Sequence, residues 1–226
     1  MQRKALLILV LAILAVDPAG AQLDLFTNPS GTVLFDLRPD SEDKNIEGTP
    51  YLNDEFVKST IKVKDGTVYE DVSLRYNIMN DEIEFLGEDG MAWAMRSRDL
   101  TQWAIIGRDT IVTREAVISG KPGLKHFILL ADGKAQLLLK KVKRYRAGTE
   151  PKPFQEGTKP SYVDAGEEYY LSFEGEDMAL EVPKKKELAE FFGENGTRVA
   201  TFVKKEKLSL KKQEDLLDLV NFFNSL

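Results

Sequence analysis

Along residues 68–79 the chain alternates. Val68, Val72, Leu74, Tyr76 and Ile78 fall on one side of an extended backbone, with Glu70 the exception. Tyr69, Asp71, Ser73, Arg75, Asn77 and Met79 fall on the other. A period of two over this length predicts a strand with one buried face. Asn80-Asp81 follows and suits a two-residue type I′ turn, since both residues tolerate positive φ. That turn sets a register in which Ile78 faces Ile83, Tyr76 faces Phe85 and Asn77 faces Glu84, with Arg75 diagonal to Glu84. Residues 125–145 repeat the logic with HFILLA, the turn pair Asp132-Gly133, and KAQLLLKKV. The predicted partners are Leu130 with Ala135, Ile128 with Leu137, and Phe127 with Leu138. Both faces of this hairpin are largely apolar, which predicts a place in the middle of a sheet. Gly133 at its centre speaks against a helix.

Shorter stretches of strand length lie around these hairpins, at 32–37, 56–63, MAWAMR, TQWAIIG and 109–118. Turn signals such as Asp65-Gly66 recur every 8 to 12 residues, the spacing of an antiparallel meander or barrel. Residues 146–165 hold Pro151, Pro153 and Pro160 and are predicted as one long loop, a kind often functional. One more hairpin is expected around Gly175-Glu176-Asp177. From Pro183 the period becomes helical. Pro183 suits a first helical position and Gly193 an end, with Leu188, Phe191 and Phe192 in one stripe. Val199, Phe202 and Val203 form a second stripe. Ser209 is placed to cap a last helix whose apolar face is Leu216, Leu219, Val220, Phe223 and Leu226. The expected fold is mainly β with α: an antiparallel β-meander, curved sheet or barrel, then a C-terminal three-helix segment packed on it.

The first residues change the picture. Arg3 and Lys4 precede a twelve-residue apolar run at 5–16, and Ala19-Gly20-Ala21 is a small-x-small cleavage site before Gln22. Residues 1–21 therefore read as a secretory signal peptide, and the run is too short to span a bilayer. The mature chain, 22–226, is expected to be one exported domain, periplasmic or extracellular, with a β-rich body at 22–182 and a helical tail at 183–226. Without Arg3, Lys4 and Asp17 it carries 29 basic and 36 acidic residues, which argues against nucleic-acid binding. The absence of cysteine excludes disulfides, thiolate zinc sites and thiol catalysis. The single histidine, His126, excludes a two-histidine metal site within one chain. No metal or cofactor is expected.

The segments GTPYLNDEF, LRYNIMNDEIEF and HFILLADGKAQLLLKK, with the closing EDLLDLVNFFNSL, cover most of the mature chain in this order. They resemble a family of exported bacterial proteins of about this size that share a PYLND-like segment, an LRYN hairpin and an LLxDGKxxLLK hairpin. That family has no established activity, so the resemblance implies export and a β fold and supplies no catalytic or binding residues.

Candidate chemistry is sparse. Arg75, Tyr76 and Asn77 lead the binding candidates, with Glu84 across the turn. Arg75 and Asn77 lie on the polar face of a central hairpin, where they can hold a ligand carboxylate or sugar. The bland alternative is a cross-strand Arg75–Glu84 pair that only fixes register. Lys140, Lys141, Lys143, Arg144 and Arg146 form a basic run that can dock an anionic surface or be a solvated strand end. Asp40, Glu42 and Asp43 lack the spacing of a calcium motif. Asp81, Glu82 and Glu84 sit beside a tight turn rather than across a cleft, unlike a glycosidase pair. His126 has no G-x-S-x-G elbow to serve and reads as structural. Tyr69, Trp93, Trp103, Tyr169 and Tyr170 can line a carbohydrate or apolar groove or belong to the core. The favoured function is a non-enzymatic envelope protein that binds an envelope component or a small ligand. A carrier of a lipid or other apolar ligand and a hydrolase of envelope polymers are the alternatives.

Overall fold

The computed structural model describes residues 35–38, 45–95, 97–151, 153–154 and 156–226. Residues 1–21, expected to be a signal peptide, and the acidic residues Asp40, Glu42 and Asp43 lie outside them.

Among the described residues eleven strands form one sheet. They are β1 (Phe35–Arg38), β2 (Val57–Val63), β3 (Val68–Asn77), β4 (Glu82–Leu86), β5 (Ala92–Met95), β6 (Thr101–Ile106), β7 (Asp109–Ile118), β8 (Lys121–Ala131), β9 (Ala135–Arg146), β10 (Ser161–Phe173) and β11 (Met178–Glu181). Three helices close the chain: α1 (Leu188–Phe191), α2 (Gly196–Lys205) and α3 (Gln213–Asn224). This is the expected mainly β body with a helical end.

The sheet order is β1-β5-β4-β3-β2-β6-β7, and β7 also starts a ring. From β7 to β10 neighbours pair antiparallel, β10 pairs with β11, and β11 returns to β7 in parallel. The second half of the sheet is thus a small closed barrel, and the first half is a wing attached through β6. Consecutive apolar residues make this possible, since Val112, Phe127 and Leu138 bury on one face while Ile111, Ile128 and Leu139 bury on the other. Inside the ring lie Val112, Ala116, Phe127, Leu138, Tyr170 and Ala179. The wing packs its Ile61, Leu74, Tyr76, Ile83 and Phe85 onto Ile128 and Leu139 of the ring. The helices cover Ala135, Leu137 and Leu171 with Leu188, Val199, Val203, Leu216, Leu219 and Val220.

Several local expectations need correction. The loop between β3 and β4 is residues 78–81, not two residues, and Arg75 lies directly opposite Glu84. The slip keeps each side chain on its face because it amounts to an even number of residues in the pairing. The alternation written from Val68 breaks at Asp71, whose φ of 58° marks an extra residue against β2. Tyr69 therefore turns toward the core and Val68 is exposed. In the second hairpin Ile128 faces Leu139 and Leu129 faces Leu138, with an irregularity before Ala131. The reason is tertiary. Asn224 at the end of α3 accepts from the Ala135 N–H at 2.8 Å and donates to the Asp132 and Ala135 carbonyls at 3.3 and 3.0 Å. Gly133, at φ 146°, leaves room for it, since a Cβ there would come within 2.5 Å of Asn224.

The long loop is shorter than predicted, because residues 161–164 pair with 143–146 and extend β10. Gly48, at φ 74°, brings its backbone against the Tyr162 carbonyl, where a Cβ would sit 2.5 Å from the oxygen. The last helix begins at Gln213, and the Ser209 N–H donates to Asp215 at 2.7 Å, so Ser209 does not cap it.

Leu216 is fully buried between α3 and the sheet. Leu216→Ala is expected to lower the unfolding free energy by about 2–5 kcal/mol in urea titrations. Phe154→Asn, at an exposed residue, is expected to change it by less than about 0.5 kcal/mol.

Candidate functional site

Two buried ionic clusters flank the β3–β4 hairpin, one on each face. On the outer face Glu84, 1% exposed, accepts from Arg75 Nε at 2.9 Å and from Asn77 Nδ2 at 3.0 Å. Arg75 Nη2 also donates to the Tyr51 hydroxyl at 2.7 Å. The guanidinium lies 3.7 Å from the centre of the Tyr51 ring and 4.3 Å from that of Phe56. Burial and the Glu84 carboxylate push the Tyr51 hydroxyl up to about 12. Tyr51 is brought here because the segment after Pro50 pairs with the end of β3, with Ile78 N–H on the Pro50 carbonyl. Arg75, Asn77 and Glu84 therefore bond to one another and to Tyr51.

Tyr76 points the other way, into the core. Its hydroxyl donates to Asp81 at 2.7 Å, and Lys140 Nζ binds both Asp81 Oδ1 and the Tyr76 hydroxyl, the latter at 3.1 Å. Lys140 also donates to the His126 carbonyl at 3.0 Å, and the His126 N–H donates to Asp81 at 3.3 Å. Arg98 Nε reaches the second Asp81 oxygen at 2.9 Å and its carbonyl at 2.8 Å. Burial pulls the Asp81 carboxyl upward, but the Lys140 charge and the bonds from Lys140 and Tyr76 outweigh it, and the net direction is down. Burial lowers Lys140 against the pull of Asp81. His126 is 2% exposed, bonds through Nδ1 to the Thr113 hydroxyl at 3.0 Å, and is pushed by burial down to about 4.

The other residues of the basic run diverge. Lys141 stands 3.7 Å from Glu167 and Lys143 3.4 Å from Asp164, each across from its β10 partner, while Arg144 and Arg146 are exposed. Lys140 does not share their surface.

A different place gathers accessible chemistry. β7 pairs with β6 over 109–112 and with β11 at 115–116, so Thr113 and Arg114 lie in the notch between. A groove of about 830 Å³ opens there. Trp103, opposite Val112, and Leu129 line its apolar side and rest on the ring interior. Arg114 donates to the Thr113 carbonyl at 2.9 Å and to Gln136 Oε1 at 2.8 Å. Gln136 Nε2 donates in turn to Asp132 at 2.8 Å. Arg114 and Gln136 belong to β7 and β9, which are not paired, so their bond crosses the ring. Asp177, Glu115 and the Lys64–Asp99 pair complete the rim. A wider groove of about 1000 Å³ lies between β10–β11 and the segments joining the helices, lined by exposed lysines and glutamates around Tyr169, Leu180 and Phe191. Among the described residues no cluster of histidine and carboxylate side chains has the geometry of a metal site. Among the described residues no helix is long and apolar enough to cross a membrane.

Trp103 stands among the aromatics singled out from the sequence; Arg114, Gln136 and Asp132 do not. Their signal is a polar residue on an apolar strand face: Arg114 between Val112 and Ala116, Gln136 two before Leu138. Lys140, two after Leu138, carries the same mark. The chain matches no family model, no curated protein and no solved structure.

Glu84→Ala is expected to lower stability by about 3–5 kcal/mol, because it strands Arg75 as a buried charge. The double change Arg75→Met with Glu84→Met is expected to cost less than Glu84→Ala alone, read from the same urea curves. Acid is expected to weaken the fold. Between pH 6.5 and about 4 the unfolded chain protonates His126 while the native state keeps it neutral, so stability falls as pH drops through that window. The full shift corresponds to about 3 kcal/mol. Asp81, held below its ordinary value, adds a loss in the same direction as pH falls through the carboxylate range. Urea midpoints at pH 7 and 4.5 measure this.

Proposed function

We propose that the protein is an exported, non-enzymatic binding protein of the cell envelope, and that the groove at the ring's mouth is its binding surface. One observation carries the reading. Aromatic, guanidinium, amide and carboxylate groups line one groove open to solvent, that of Trp103, Arg114, Gln136 and Asp132. The ionic clusters at Arg75–Glu84 and Asp81–Lys140 are buried and mutually satisfied, which suits architecture better than capture of a ligand. The basic leader residues and apolar run at 3–16, the Ala19-Gly20-Ala21 site and the motif resemblance support export.

Neither alternative finds comparable support. A carrier needs a cavity between sheet and helices, and that space is filled by Leu137, Leu171, Leu188, Leu216 and Leu219. A glycan hydrolase needs one carboxyl held protonated by burial, and Glu115, Asp132 and Asp177 are exposed.

The mature chain, beginning at Gln22 by mass spectrometry, is expected to sediment with isolated envelopes of the producing cell. Trp103→Ala and Arg114→Met, assayed at a temperature where circular dichroism shows both still folded, are expected to stay in the supernatant. Failure of the wild-type chain to sediment, or equal retention of the variants, refutes the reading.

A further inference from the structure

We infer that the ligand of this groove is a saccharide, recognised through vicinal hydroxyls and one apolar ring face; the inference rests on the groove being the binding surface. The argument begins with what the lining can and cannot satisfy. Arg114 only donates, and Asp132, Asp177 and Glu115 in their ionised form only accept. Gln136 does both but has each end occupied, by Arg114 and by Asp132. A ligand lying along this rim must therefore offer acceptors and donors on neighbouring atoms. Vicinal hydroxyls do so, because each hydroxyl donates one hydrogen bond and accepts two.

Charge excludes the simpler ligands. Four carboxylates, Asp99, Glu115, Asp132 and Asp177, around two cations, Lys64 and Arg114, oppose an anion. A cation would meet the Arg114 guanidinium, which takes only neutral partners among the described residues. An acyl chain would strand the polar rim without hydrogen bonds. A neutral, hydroxyl-rich ligand leaves none of these groups uncompensated.

The opposite side supplies the rest. Trp103 is half-buried, backed by Val112 and the ring interior, so its indole is held rather than free to swing. A sugar ring has one face of C–H bonds that can stack on such a platform while its hydroxyls reach sideways. Arg114 is likewise fixed in advance by the Thr113 carbonyl and Gln136. Side chains ordered before binding lose less entropy on binding, which lets a shallow open site hold a flexible polymer.

The test uses the mature chain with Trp93→Phe, which leaves Trp103 as the sole indole. Dextran, mannan, pullulan and cellotetraose, all of which carry vicinal hydroxyls along the chain, are titrated while Trp103 emission and binding heat are read. At least one is expected to shift the emission, and Trp103→Ala or Arg114→Met is expected to raise its calorimetric dissociation constant at least tenfold, about 1.4 kcal/mol. Periodate, which cleaves vicinal diols, is expected to abolish sedimentation with envelopes. Retention that depends on Trp103 but survives periodate overturns recognition through vicinal hydroxyls and leaves the binding surface standing. Silence toward all four glycans also overturns it. Release of reducing ends from a bound glycan keeps the saccharide and replaces non-enzymatic binding with hydrolysis.

Discussion

The architecture turns on the contact between Lys140 and Asp81. Lys140 shares its strand face with Leu138, which lies inside the ring, so its ammonium is carried into the core by the alternation of β9. A buried charge without a partner costs several kcal/mol, and no other carboxylate of the ring bonds to it among the described residues. The partner comes from the wing, 59 residues earlier in the chain. Asp81 reaches it only by adopting φ 57° at the end of a four-residue loop, a conformation that costs an aspartate roughly 1 kcal/mol or more. The ion pair, the Tyr76 hydroxyl and the Arg98 fork on Asp81 therefore join wing and ring at one point, and the apolar contacts of Ile83, Phe85 and Ile128 close around it.

The same device appears at the other end of the ring with a different outcome. Gln136 and Lys140 lie four residues apart on one face of β9, a separation of about 13 Å. At the Lys140 end a cation on the inward face is sealed by a carboxylate and a histidine carbonyl. At the Gln136 end the inward cation, Arg114, is held by a carbonyl and an amide and keeps an open side. A fully satisfied network rigidifies a fold, while a held but incompletely used guanidinium is the usual form of a recognition group. One end is thus sealed, and the other stays open to solvent.

Much of this was written in the chain, and what was not has physical causes. Strands from period two, the helical end from period 3.6, and the Arg75–Glu84 pairing face were all legible, because each depends on neighbours within about 15 residues. Register was not. Asp71 takes positive φ without the glycine that normally announces it, and Asn224 reshapes the Asp132-Gly133 turn from 89 residues away. Ring closure was equally hidden, since β11 meets β7 over two residue pairs only. The groove combines β6, β7, β9 and the turns beside them, so no local spacing could assemble it. Its trace in the sequence was a charged residue in an apolar register, at Arg114 as at Lys140. Such a residue marks a place where the fold must supply a partner, or leave a site for one.

The most direct test of the division between a structural hairpin and a binding mouth is amide and indole chemical-shift mapping of the mature chain during titration with a glycan-rich extract of its envelope. The account predicts shifts concentrated at residues 101–106, 110–115 and 132–136, including the Trp103 indole N–H, with Arg75, Asn77 and Glu84 unmoved. Shifts centred on residues 75–84 with a silent Trp103 would contradict it.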